Sequence, residues 1–186
     1  MFAAPAWSAG RVGRVETSDI LIDAFGRIRG TVRRAAGGLD AAGLAYRPDA
    51  DANSIAWLVW HLTRIQDDHV AELADRVQVW HDGPWAEQLE LTGNLYDTGF
   101  GHTSEQVAAV RPEGPEVLLD YHDAVADRSI EYAATVSADD LDRVIDRSWD
   151  PPVTVGVRLV SVLNDCMQHA GQASYVRGMY ERQRDE

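Results

Sequence analysis

Val160–Arg177 reads VSVLNDCMQHAGQASYVR. The stretch is long enough for about five turns of helix. Its polar line, Asp165, His169 and Gln172, stands at i, i+4 and i+7, spacings that stack the three side chains on one helical face. The neighbouring face carries Leu159, Leu163, Cys166, Met167 and Ala170, the apolar stripe of a helix docked in a core. A carboxylate and an imidazole one turn apart beside such a stripe can hold a divalent metal, run acid–base chemistry, or do neither. The decision rests on a third group from elsewhere in the chain, and the candidate is His61.

Working outward, this last helix is expected from about Thr154 to Gln183, with Asp150-Pro151-Pro152 as a firm stop before it. Leu141 to Trp149 alternates apolar and polar side chains, a weak strand-like signal. A helix is expected over Pro115–Val136, where proline suits the first turn and Val117, Leu118, Tyr121, Val125, Ile130 and Ala133 keep helical spacing. Another runs from Asn53 or Ser54 as cap to about Asp75. Ile55, Leu58, Val59, Leu62 and Ile65 mark its buried side and carry His61 inward with them. The first helix begins between Glu16 and Asp19, with Thr17 or Ser18 as cap, and ends at Gly37 and Gly38. Leu39–Asn53 reads as a long, packed loop, and residues 1–15 as a loose arm that Trp7 could pin to the surface. Between the second and third helices, Val77–Gly114 loses all periodicity apart from a short helix over Ser104–Val110. An irregular insertion of that length is more often functional or interfacial than idle. Four long amphipathic segments give an all-α fold, a four-helix bundle. A chain of 186 residues fits one domain spanning 1–186.

Charge and cysteine content narrow the function classes. The formal net charge is −13, spread along the chain, which repels phosphate backbones and anionic membranes and leaves no expectation of nucleic-acid binding. No segment approaches the roughly 20 apolar residues of a membrane span, and the N-terminus lacks the apolar run of a signal peptide. Cys166 is the one cysteine, so the reducing cytoplasm is the expected compartment. No phosphate-cradling glycine loop, CxxC pair, GxSxG elbow or HExxH is found, which argues against nucleotide-dependent enzymes, zinc ribbons, serine hydrolases and metalloproteases of that type.

His61, Asp165 and His169 together offer two imidazoles and a carboxylate, a three-ligand set with open positions for water or substrate. The plainer reading keeps His61 as a buried neutral histidine and Asp165 with His169 as a local pair. Asp67-Asp68-His69 reads as a solvated helix end, since His69 lies about 12 Å along the helix from His61 at 1.5 Å per residue. His81 and His102 sit on loops, where either can close over a site as fourth ligand or acid–base group, and His102 is expected on mobile backbone. Gln172 is either a group that orients a ligand or an ordinary surface amide. Cys166 points about 100° away from Asp165 and is expected as a packed core thiol. Trp57, Trp60, Trp80, Trp85 and Trp149 are expected as core and loop anchors, some of them lining an apolar acceptor pocket.

SIAWLVWHLTRIQDDH at 54–69 with MQHAGQASYVRG at 167–178 resembles the DinB-like (DinB/YfiT) superfamily, most nearly an actinobacterial branch, and Thr98–Pro112 and Trp149–Val160 share the likeness. The resemblance implies a bundle with up-down-down-up topology, often dimeric, and a metal held by one histidine on the second helix and two at i, i+4 on the fourth. His61 and His169 match the first and third of these, and Asp165 stands where the second histidine is expected. Aspartate ligates as well but hardens the site. Zinc is the first expectation, with nickel, iron or manganese admitted by the carboxylate. Related proteins are S-transferases and isomerases of low-molecular-weight thiols such as mycothiol, whose metal lowers the pKa of the thiol. Together with the lone cysteine, this makes the expected protein a cytoplasmic homodimer acting on small molecules, with the aromatic-rich insertion as its candidate interface. The alternative is a non-catalytic bundle whose site is structural, vestigial or ligand-sensing.

Overall fold

In the computed structural model, which describes residues 14–184, the Val160–Arg177 stretch is the middle of a helix running Val155–Arg184. The arm expected over 1–15 lies, up to residue 13, outside the described residues. In chain order the elements are α1 (Thr17–Ala36), α2 (Ala41–Ala45), α3 (Ile55–Ala74), α4 (Val79–Asp82), α5 (Trp85–Gln88), α6 (Ser104–Ala109), α7 (Glu116–Ala133), the strands β1 (Val144–Asp146) and β2 (Val153–Thr154), and α8 (Val155–Arg184). The fold is all-α, with one two-stranded hairpin among the described residues.

Local chemistry sets the boundaries. Ser54 caps α3 by accepting the Trp57 N–H at 3.1 Å. Thr103 caps α6 in a reciprocal box with Gln106. At α1 the cap is Glu16, not Thr17 or Ser18, and Asp19 reaches back to accept the Glu16 N–H at 3.1 Å. The stretch 39–53 is not all loop, because Asp40 caps the short α2 through the Gly43 N–H at 2.8 Å. The strand-like signal over 141–149 narrows to β1, which pairs antiparallel with β2 across a turn holding a cis Asp150–Pro151 bond.

Four long helices form the bundle, and their contacts fix its topology. Arg33 and Arg29 of α1 reach Asp123 and Asp127 of α7 in reverse order, so those helices are antiparallel. Cys166 and Arg158 of α8 meet Leu62 and His69 of α3, again in reverse order. Thr63 and Gln66 of α3 bond His122 and Ser129 of α7 in the same order, so α3 and α7 run together. Arg177, late in α8, donates to the carbonyls of Arg34 and Gly37 at the end of α1, capping a helix parallel to its own. The sense is up-down-down-up, with α1 and α3 on one diagonal.

The core draws on all four helices: Phe25, Ile28 and Val32 from α1, Leu58 and Leu62 from α3, Leu118 and Val125 from α7, and Leu159, Val162 and Cys166 from α8. Each fully buried aliphatic side chain contributes about 1.5–3 kcal/mol. Unlike the others, α3 is buried on nearly every side, Ile55 through Arg64 without a break. The irregular 77–114 excursion folds back over the face that the bundle leaves open, placing Trp80, Ala86, Leu89 and Val107 in the same core. Met167, expected on the apolar stripe of α8, is instead 60% exposed, and Trp149, expected as an anchor, is exposed too. The buried stripe of α8 is narrower than the sequence suggests, running Leu159, Val162, Cys166, Ala170, Ala173, Val176.

Candidate metal centre

Because α3 and α8 pass antiparallel at close range, His61 comes to stand opposite Asp165 and His169. One ligating atom from each of the three lies within 4.8 Å of the others. The imidazoles meet edge to face, with centroids 4.9 Å apart and planes at 74°. Trp57, one turn before His61, stacks on its ring at 4.6 Å and presents an edge to His169 at 6.2 Å, walling the cluster on the α3 side.

Hydrogen bonding decides which atoms face inward. The Nδ1 of His61 is bonded to the carbonyl of Thr98. A carbonyl only accepts, so that Nδ1 carries the hydrogen and Nε2 of the neutral ring keeps a free lone pair. His169 is arranged alike, its Nδ1 bonded to Gln172 Oε1 at 2.7 Å, so Gln172 orients a site histidine and is more than a surface amide. The lone pair of His169 Nε2 then faces Asp165 Oδ1 at 3.5 Å. Two electron-pair donors at that distance repel unless a cation, proton or metal, lies between them. The second carboxylate oxygen, Asp165 Oδ2, is buried and has no hydrogen-bond partner among the described residues. A buried acceptor left unpaired costs about 1–3 kcal/mol, so its position is accounted for if it serves a cation. Two imidazole nitrogens and a carboxylate oxygen suit zinc, iron, nickel or manganese better than magnesium or calcium.

The electrostatics of the two rings diverge. Burial pushes the pKa of His61 down, against the Thr98 carbonyl. The Asp165 carboxylate, accepting a hydrogen bond from the protonated ring, holds that of His169 up, against partial burial. The two rings thus differ in proton affinity: the neutral form is favoured at His61, and at His169 the Asp165 carboxylate favours the protonated form.

A family model described as mycothiol-S-transferase matches residues 20–181, a span that includes all three groups. The chain belongs to the mycothiol-S-transferase family. This is a DinB-like family, in keeping with the likeness of the α3 and α8 segments. A solved structure of a conserved protein from Enterococcus faecalis is 28% identical, with a TM-score of 0.81 over 88% of this chain and 96% of that one. No curated protein matches the chain.

In this mycothiol-S-transferase family member the other sequence candidates fall outside the cluster. His81 is exposed beside Tyr96. Cys166 is fully buried, its thiol pushed well above the usual range by burial, and it packs against the carbonyl of Leu62 as a core thiol. His102 is not on free backbone: it is wedged against Trp60 with both ring nitrogens bonded. The Asp67-Asp68-His69 segment is not a solvated helix end either. Asp67 is 4% exposed and accepts the N–H groups of Val79 and Trp80 and the hydroxyl of Tyr121 at 2.8–2.9 Å. Burial nevertheless pushes its pKa up. His69 bonds Arg158 at 2.7 Å, away from the cluster.

Three groups escaped the sequence reading. Arg64, 0% exposed, gathers the carbonyls of Asp97 and Leu95 and the side chains of Gln78 and Tyr121. A cation inside the otherwise apolar run of α3 was its signal. His122 is buried on α7 and bonds Thr63 Oγ1 at 3.0 Å. Its position four residues after Leu118 and four before Ala126 placed it on the core face. Thr98 acts through its carbonyl, for which no side-chain pattern exists.

Proposed function

We propose that this chain is a divalent-metal-dependent enzyme that transfers, or isomerises through, a low-molecular-weight thiol of the mycothiol type. His61, Asp165 and His169 hold the metal, with zinc the first choice. The observation carrying this reading is the convergence of one ligating atom each from His61, Asp165 and His169, with Asp165 Oδ2 buried and unpartnered, in a family whose model is described as mycothiol-S-transferase. A divalent metal bound there would lower the pKa of a thiol and supply a nucleophilic thiolate near neutral pH. The protein's own part is positional. Thr98 and Gln172 fix the two rings through their Nδ1 atoms. Trp57 covers one flank by stacking on the His61 ring. No side chain is needed as a covalent nucleophile, consistent with the burial of Cys166.

The same reading takes the protein as cytoplasmic and as a homodimer. Supporting the dimer, the excursion carries the exposed side chains Leu95, Tyr96 and Phe100. No helix among the described residues is long and apolar enough to cross a membrane. The test is metal content as purified, followed by conjugation of a small thiol to an electrophile with and without chelator. Bound zinc with chelator-sensitive conjugation supports the proposal. Bound metal without conjugation leaves a metal-binding bundle and overturns the transferase reading.

A further inference from the structure

His61 lies on a helix, but what decides its tautomer lies on a loop. Thr98 can receive the Nδ1 hydrogen only if residues 97–102 sit tightly against α3, and several contacts enforce this. Asp97 Oδ1 accepts the Gly99 N–H at 2.8 Å, and Oδ2 takes His102 Nε2–H at 2.7 Å. The backbone N–H of His102 returns to the Gly99 carbonyl at 3.2 Å. Gly99 has φ +88°, and a Cβ there would lie 2.8 Å from the Trp60 ring and 3.0 Å from His61 Nδ1. Only glycine allows so close an approach in that conformation. On the α3 side, Arg64 Nε donates to the Asp97 carbonyl at 3.1 Å.

The role of His102 follows from donor and acceptor types. Trp57 Nε1–H, a donor only, points at His102 Nδ1 at 3.1 Å. That nitrogen must therefore accept, and the hydrogen must sit on Nε2, where the Asp97 carboxylate receives it. Both nitrogens are thus used, and the ring lies nearly parallel to Trp60, centroids 5.7 Å apart. His102 has no lone pair left for a metal and no free N–H for a substrate.

We propose that the Asp97–His102 loop is a positioning clamp that holds His61 in the one tautomer with Nε2 open toward Asp165 and His169, with His102 fastening the loop. The tautomer stands on the protein alone, whereas the effect on metal affinity rests on the metal reading above, so the experiment measures them separately. In the metal-free, full-length protein, long-range nitrogen–proton NMR correlations report which imidazole nitrogen of His61 carries the hydrogen. A single Nδ1–H form is expected. His102→Gln offers Asp97 an N–H and Trp57 a carbonyl, so it preserves that form, whereas His102→Leu and Gly99→Ala give mixed tautomers. Zinc affinity, read by competition with a chromogenic chelator, follows: His102→Gln within about threefold of wild type, the other two about 10–100-fold weaker, as for lost outer-shell partners of a ligand. Circular dichroism checks that each variant is folded, and Gly99→Ala serves if His102→Leu is not. Loss in His102→Gln as deep as in His102→Leu, or an unchanged single tautomer in both disruptive variants, overturns the clamp. A fixed His61 tautomer in a wild type that takes up no zinc supports the clamp and removes the metal reading.

Discussion

Replacing Asp165 by alanine should move the metal-free and metal-loaded protein in opposite directions. In the metal-free chain Asp165 Oδ2 is buried without a partner, which costs about 1–3 kcal/mol. Truncation removes that cost, and alanine is the better helix former by a few tenths of a kcal/mol. Against this stands the lost pairing with His169, an i, i+4 contact at 3.5 Å, worth about 0.3–0.5 kcal/mol for a partly exposed pair. With the penalty taken at the low end of its range, the balance favours the variant by about 1 kcal/mol, or about 2–4 °C in melting midpoint for a chain of this length. With zinc present the sign reverses. A ligand at 100 times its Kd stabilises by about 2.7 kcal/mol, and a site reduced to two histidines forgoes most of it. The assay is a set of paired thermal melts, wild type and Asp165→Ala, in chelator and in saturating zinc. The reasoning is refuted if the variant melts clearly below wild type in chelator, or if zinc raises both midpoints equally.

His169→Ala should abolish stoichiometric zinc uptake, since two ligands rarely hold a divalent ion tightly, whereas Asp165→His should keep or strengthen it; equilibrium dialysis with elemental analysis checks both. His122, held down to about 4 by burial from an ordinary 6.5, is neutral in the fold, so its contribution is intact above pH 6.5 and is lost as pH falls toward 4. At about 1.4 kcal/mol per pH unit it removes about 2 kcal/mol between pH 7 and 5, and urea unfolding of His122→Gln should lack that loss. Arg64→Met leaves the Asp67 carboxylate, 3.6 Å from the guanidinium, buried without its cation, and should cost about 3–5 kcal/mol in urea unfolding.

Helical spacing made α1, α3, α7 and α8 legible, because each long helix must bury a stripe against the others and the stripe is written in the sequence. The cluster was legible for the same reason: Asp165 and His169 share a face by spacing, and Leu58 carries His61 inward. Within the excursion only the short helix α6 was legible, and what the rest of it does could not be read. Asp67 looks solvated because it stands beside Asp68 and His69, yet the chain returns at Val79 and Trp80 and brings two backbone N–H groups to it. Met167 looks buried because it is apolar, yet α8 packs its stripe through alanines and Cys166, and the wider residues beside them turn outward. His102 looks mobile because Gly101 precedes it. Gly99 and Gly101 instead provide the positive φ values that let its ring reach Trp57 and Asp97.

The two histidines of the cluster are therefore built by different physics. His169 takes its orientation from Gln172, three residues along its own helix, so its geometry forms as soon as α8 does. His61 takes its orientation from Thr98, 37 residues away, and that carbonyl is in place only when Arg64, Asp97, Gly99 and His102 have closed the excursion onto α3. A perturbation in α8 away from the ligands should leave His61 intact, while one anywhere in the chain of contacts from Arg64 to His102 should loosen it without touching the Asp165–His169 pair. The buried Arg64–Asp67 network thus joins the stability of the excursion to the orientation of His61. Affinity at this centre should accordingly track the closure of residues 95–102 more closely than it tracks the global melting temperature.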